Sequence, residues 1–393
     1  MIFSPPREAA ATGFPYARID LGALRRNWRY LASLSADVPP MAVVKADAYG
    51  HGILETARVF LEEGCRFFAT GTVAEGVFLR QELTALGASN VTILPLLGIM
   101  DEKDAAVSFE ADLVPLIHSA WQAALVARAY SGSAPLPVAV KIETGMSRLG
   151  FRPEDTGELL TALREAGNLA PTLLLSHLAA ADDPTQDASV AAQVAFFLEA
   201  YAALRSFWPE IGISLANSAA YLAKDTLLSA LPRHTGRPGY ALYGGNPFAG
   251  TSREPLGRAL EPAMAVVAPV LGVHDLAAGR TVSYGRTFTA PAAMRVAVVG
   301  AGYADGFSRG LSGKGHVCIR GARCPVLGRV CMQMHVADVT HVPEAQAGDE
   351  AYLLGGTGEG RIGMEDLARE WGTIPYEIFC ILGGNRRVYS GRP

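Results

Sequence analysis

Met41-Ala42-Val43-Val44-Lys45-Ala46-Asp47-Ala48-Tyr49-Gly50-His51-Gly52 reads as a short apolar strand that closes on a cation and runs through two glycines into a helical pattern over 53–63. An apolar run without polar alternation is the mark of a strand covered on both faces, as in a parallel sheet. The chain has five lysines, at 45, 103, 141, 224 and 314, against 29 arginines. A cation at the end of a buried strand is costly unless it is paired or deprotonated. Desolvated in that way, Lys45 becomes a candidate neutral amine and Schiff-base former. The plainer alternative is a lysine that caps the strand and reaches water.

The same unit recurs along the chain. Apolar runs fall at 41–45, 66–70, 91–97, 111–117, 137–143, 172–177, 211–217 and 240–243, with helical patterns at 53–63, 73–86, 120–130, 155–166 and 188–206 between them. Starts about 20 to 40 residues apart are the spacing of βα units, and eight runs predict a closed (β/α)8 barrel over 14–250. Chemistry in such barrels sits at the C-terminal strand ends. Lys45, Lys141 with Arg148, His177, and Asn217 with Ser218 all fall there. Beyond about 255 the texture changes to short Val- and Gly-rich alternating runs, which predicts a mainly β domain over 251–393 with one helix at 363–371. Residues 1–13 read as a loose arm.

Composition narrows the function. Half of the 393 residues are hydrophobic and the formal net charge is −4. That gives no support for a nucleic-acid footprint, which requires a basic face. Five scattered cysteines show no CxxC pair and no histidine-rich metal pattern, so the expectation is reduced thiols, no metal and a cytoplasmic location. The N-terminus lacks the continuous apolar stretch of a signal peptide. No segment reaches 18 uninterrupted apolar residues, so no membrane span is expected.

The segment 42–52 resembles the pyridoxal-phosphate attachment segment of the alanine racemase family. The resemblance implies that Lys45 carries the cofactor and that Tyr49 contacts its phosphate. Lys141-Ile142-Glu143-Thr144-Gly145-Met146-Ser147-Arg148 resembles the family's next segment. It implies that Arg148 receives the substrate carboxylate, and it makes Lys141 a candidate for the carbamylation that many members carry. Ser176-His177 through Asp182, Ala216-Asn217-Ser218 and Gly236-Arg237-Pro238-Gly239-Tyr240 resemble three more. These imply a hydrogen-bond relay through His177, an access-channel acid at Asp182, phosphate contacts at Asn217, Ser218, Gly239 and Tyr240, and Arg237 at the pyridine nitrogen. In the β-rich part, Val282-Ser283-Tyr284-Gly285-Arg286, Gly302-Tyr303 through Arg309, Gly328-Arg329-Val330-Cys331-Met332 and Thr373-Ile374-Pro375-Tyr376 resemble the remaining site segments. They imply a second catalytic base, Tyr284, supplied by the opposite subunit of a homodimer. Tyr303, Arg309 and Arg329 would line the access channel, Met332 would contact substrate, and Tyr376 would stand near the phosphate.

The implied activity is interconversion of L- and D-alanine by two bases, Lys45 on one face and Tyr284 on the other. Alternatives are a racemase of different specificity, such as serine, or a non-enzymatic pyridoxal-phosphate-binding protein. Gln333, Tyr240, Pro375 and Ser214 depart from the family pattern. The glycine-rich stretch 353–360 mimics a nucleotide-binding turn, but no βαβ unit follows it, so a plain turn is expected.

Overall fold

The computed structural model describes residues 14–35 and 38–391. The expected arm over 1–13 lies outside the described residues. The chain divides into two compact units, one spanning 22–262 and the other uniting the N-terminal stretch through Leu21 with 263–393. The division after Pro262 differs from the boundary after 250 read in the sequence. The cause at the N-terminus is a non-local pairing: β1 (Tyr16–Asp20) lies antiparallel to the long strand Met264–Leu276 and parallel to Arg386–Ser390.

The unit 22–262 is built on seven short parallel strands: β2 (Ala42–Val43), β3 (Phe67–Thr70), β4 (Thr92–Pro95), β5 (Leu116–Ile117), β6 (Leu136–Lys141), β7 (Leu169–Leu175) and β8 (Gly212–Ser214). They pair in sequence order as β2–β3–β4 and β5–β6–β7–β8. Two further links close the ring. Val114 N donates to Ile93 O at 2.9 Å between β4 and β5. Residues 235–238 then fill the gap between β8 and β2: Thr235 N donates to Ile213 O, Met41 N to Gly236 O and Val43 N to Pro238 O. The eighth run read in the sequence, Tyr240–Tyr243, is instead a buried 3₁₀ turn. Tyr243 Oη donates to Val43 O at 2.9 Å and ties that turn to β2.

The five helices read from periodicity all form, at Ile53–Glu62, Val73–Ala85, Ala120–Ala129, Thr156–Ala166 and Asp187–Arg205. Several start on a side-chain cap just beyond a strand, which turns the chain sharply back over the barrel. Thr72 and Glu75 form a reciprocal capping box, while Asp101 and Ser119 cap the helices that follow β4 and β5. The region Pro184–Arg205 is long and apolar enough to cross a membrane by length and composition. Its buried residues Val190, Gln193, Val194, Phe197, Ala200 and Leu204 recur every three or four positions, the stripe of a helix that packs on one side.

In the other unit, six strands close on themselves. Met294–Val299, His335–Asp338, Ala322–Leu327, His316–Ile319, Glu350–Leu354 and Met264–Leu276 pair antiparallel in that order, and the last returns to the first. Closure leaves no open edge on those strands. The expected helix forms at Met364–Trp371, and a second at Pro375–Leu382 was not anticipated. The stretch 353–360 is the expected turn, with Gly355 and Ile362 exchanging backbone hydrogen bonds.

Candidate active site

Lys45 leaves the end of β2 as expected, but its setting differs from the expectation. The strand is buried through Val44, whereas Lys45 itself is exposed. The backbone explains the change. Ala46, Asp47, Ala48 and Tyr49 all hold φ between 52° and 54°, a left-handed turn of four consecutive L-residues. Each such residue costs about 1–2 kcal/mol against the right-handed form. The turn persists because its surroundings pin it. Ile53 N donates to Asp47 Oδ1 at 2.7 Å, Asp47 N to Glu75 Oε1 at 3.3 Å, and Gly50 N to Ala46 O at 3.0 Å. The Tyr49 and His51 rings lie 4.9 and 4.6 Å from that of Tyr243. Because Ala46 is exposed, Ala46→Gly should raise thermal stability, by up to about 1 kcal/mol after glycine's added chain entropy is subtracted. A lower melting temperature for Ala46→Gly would count against stored strain.

The loop after β6 is wound around one carboxylate. Glu143 accepts from the backbone amides of Gly145 and Met146, and from Arg148 N at 3.0 Å. These amides hold its carboxyl below the usual range despite burial. Glu143 is thereby committed to the loop. Lys141 is 8% exposed at the end of β6, and its side-chain amine makes no ion pair or hydrogen bond among the described residues. Glu143 does not pair with the Lys141 amine. Burial, followed by the charges of Arg148 and Arg237, pushes Lys141 down to about 8, against a smaller opposing pull from Glu143. Lys141, Arg148 and His177 line one shallow recess with Ser176 and Met146.

Arg237 is 5% exposed, and its donors meet three neutral acceptors. Nη1 reaches Ser214 O and Ser214 Oγ at 2.6 Å each, and Nη2 reaches Ser176 O. No carboxylate pairs with it among the described residues, and burial pushes it down to about 10. Ser214 Oγ in turn donates to Thr235 O at 2.6 Å, so it can only accept from Arg237. Enclosure, then the charges of Arg237, Arg148, Lys45 and Lys141, pushes His177 down to about 3. The imidazole is therefore neutral at ordinary pH, under the influence of four cations.

Asn217 caps the short helix Ser218–Leu222 through Ala220 N at 3.1 Å. Ser218 Oγ accepts from Gly239 N at 3.0 Å and Ala241 N at 3.2 Å, which leaves its own proton to donate outward. The Gly239 amide, expected to face a ligand directly, is thus spent on Ser218. A Cβ at position 239 would come within 2.3 Å of Tyr49 Oη, so glycine is what lets the two segments meet. Tyr240 is buried in its turn, and Asp182 is exposed beyond β7.

In the β unit, three of the predicted segments are stitched together. Ser283 Oγ donates to Arg329 O at 2.6 Å, Tyr303 N to Cys331 O at 3.1 Å and Ala304 N to Met332 O at 2.9 Å. Buried His335 anchors the same corner, with Nδ1 2.8 Å from Ala301 O and its ring stacked on Phe307. Tyr284 is 72% exposed and Met332 57%, while Tyr303, Arg309, Arg329 and Tyr376 are also exposed.

Sequence reading passed over His118, Gln193 and the Thr144–Ser176 pair. His118 follows β5 directly, and its imidazole is lowered by burial and by the charge of Lys141. Its position after an apolar run was a usable signal. Gln193 sits on the apolar stripe of its helix, where a polar residue demands partners.

A closed parallel barrel with uncompensated positive charge at its strand ends is a barrel enzyme suited to a small anionic ligand. Two family profiles match the chain, "Alanine racemase, N-terminal domain" over residues 19–247 and "Alanine racemase, C-terminal domain" over 263–389. The chain belongs to the alanine racemase family. It is 48% identical to the alanine racemase of Nitratidesulfovibrio vulgaris strain Miyazaki F over 372 residues, covering 95% of this chain and 97% of that protein. It is 38% identical to a catabolic alanine racemase of Rhizobium johnstonii, covering 95% and 93%. Among solved structures, the alanine racemase of Bartonella henselae with covalently bound pyridoxal phosphate superposes with a TM-score of 0.83 at 29% identity, covering 96% and 100%. That of Bacillus anthracis with bound L-Ala-P gives 0.86 at 28%, covering 98% and 97%.

Proposed function

We infer that this chain interconverts L-alanine and D-alanine with pyridoxal phosphate held on Lys45. The observation that carries the reading is the barrel mouth. Lys45, Lys141, Arg148 and Arg237 all place positive charge near a neutral His177, and among the described residues neither the Lys141 amine nor the Arg237 guanidinium has a carboxylate partner. Such a site calls for anions, and a phosphate and a substrate carboxylate supply them.

The residues fit the cofactor. Lys45 offers a primary amine at a strand end, Ser218 a directed hydroxyl donor, and the Tyr49–Gly239 approach a close-packed cradle. When bound, pyridoxal phosphate withdraws electrons from the amino acid and makes its Cα proton removable. Tyr49, Ser218 and Tyr240 would hold the phosphate end. Arg237 would face the ring nitrogen, and as a guanidinium that stays charged at ordinary pH it would not readily give that nitrogen a proton, which would temper the electron sink and disfavour side reactions. Arg148 would take the carboxylate as a planar fork. The lowered Lys141 amine is suited to carbamylation, which would give Arg148 a negative partner.

Inversion needs a proton acceptor on each face of Cα. Lys45 serves the face from which D-alanine loses its proton, and Tyr284 of a second copy serves the other. Exposed Tyr284, Tyr303, Met332 and Tyr376 support a surface offered to that copy, with Asp182, Arg309 and Arg329 along the access route. The five unpaired cysteines support a reducing, cytoplasmic setting.

Incubating cofactor-loaded protein with either enantiomer of alanine should converge on an equal mixture by chiral chromatography. The lysine-bound cofactor should be visible by absorbance in the same sample. Absence of that band sinks the reading, and faster turnover of serine overturns the substrate alone.

A further inference from the structure

We propose that Gln193 is a positioning residue for this site: its amide clamps the loop carrying Arg148 to the strand end carrying His177, and so sets where the substrate carboxylate is received. The proposal rests on the reading of Arg148 given above.

Gln193 belongs to the outer helix Asp187–Arg205 and is 3% exposed. A buried primary amide is costly unless both its oxygen and its nitrogen find partners. Here they do, and all the partners belong to connections that follow two barrel strands. Nε2 donates to Thr144 Oγ1 at 3.2 Å, beyond β6, and to His177 O at 3.1 Å, beyond β7. Oε1 accepts from Ala179 N at 3.0 Å. Helix packing alone would be served as well by the Val and Phe that make up the rest of the stripe. The amide is needed because two backbone segments with unpaired polar groups pass over that point.

The clamp continues in both directions. Thr144 Oγ1 lies 2.9 Å from Ser176 Oγ, and Ser176 O receives Arg237 Nη2. On the other side, a Cβ on Gly145 would stand 3.1 Å from Gln193 Cγ, so the loop rests directly on the clamp. From Gly145 to Arg148 the loop amides gather on Glu143. The path from Gln193 to the Arg148 backbone is therefore tied at every step, while the Arg148 side chain stays exposed toward a ligand.

Gln193→Met keeps the length and volume and removes the polar atoms. In cofactor-loaded enzyme it should raise KM for both enantiomers about tenfold, the scale of one or two lost hydrogen bonds, with kcat within about threefold. Inhibition by propionate, a carboxylate without an amine, should weaken in parallel. Val194→Ala, on the same buried helix, should lower the melting temperature and leave KM unchanged. A Gln193→Met enzyme whose KM and propionate inhibition stay within about twofold of the parent overturns the proposal. Should that variant fail to fold, Thr144→Val, which deletes the acceptor at constant volume, is read by the same criterion. Arg148→Ala separates the two levels. If it leaves KM unchanged, the reading of Arg148 fails and the clamp's role with it. If it raises KM while Gln193→Met does not, the clamp alone is wrong.

Discussion

Lys45→Ala should reduce racemisation to background, a loss of at least about 10⁴-fold, because one substitution removes both the cofactor's attachment point and one of two proton-transfer groups. The absorbance of lysine-bound cofactor should vanish with it. Stability should change little, since Lys45 is exposed and the buried part of its strand ends at Val44. Persistence of racemisation at more than a few per cent of the parent rate would remove Lys45 from the chemistry.

Tyr284→Phe should lower racemisation by about 10²–10⁴-fold, the usual worth of a single general base, while leaving the cofactor bound. The two enantiomers should then part company in deuterated water. D-alanine should still exchange its Cα proton, because Lys45 removes and returns it on one face. L-alanine should not. Equal exchange of both enantiomers would show that Tyr284 is not the second base. Mixing Lys45→Ala chains with Tyr284→Phe chains extends the test. A two-fold dimer with shared sites has one intact site in each hybrid, so random reassociation should restore about a quarter of parent activity. Purified hybrids as inactive as both parents would exclude shared sites.

What was legible in the sequence was local. Continuous apolar runs at βα spacing marked six of the barrel strands at or near their observed places and a seventh, β5, at the end of its run. The five periodic helices formed within about a residue or two of their predicted limits. The run at 240–243 misled because apolar character alone does not distinguish a strand from a buried turn. Gly239 and Gly244 bracket it, and Pro238 has no amide to give a ladder. The segment that fills the eighth place, Thr235-Gly236-Arg237-Pro238, has no apolar pattern at all, and its hydrogen bonds go to strands far away in sequence. The pairing of β1 with the last strand was invisible for the same reason.

At the site, the candidate residues were legible as motifs, and their supports were not. Ser214 looked like a mere departure, yet its hydroxyl is one of three acceptors that hold Arg237. Nothing in Ala46-Asp47-Ala48-Tyr49 favours a left-handed turn. The conformation is imposed by Asp47, Glu75 and the packing on Tyr243, which lie on separate elements. Lys45 was therefore expected to be desolvated by its strand, when the turn carries it out of the strand instead.

That turn also acts as a checkpoint in the life of the chain. Four residues wound against their chirality cost together about 4–8 kcal/mol, comparable with the whole stability of a typical domain. No isolated fragment can hold such a segment. It exists only once the strand beneath it, the helix bearing Glu75 and the Tyr240–Tyr243 turn have all arrived. On the proposed reading, the amine of Lys45 should reach its final place only when the barrel is complete, and a half-folded chain should offer the cofactor no finished anchorage.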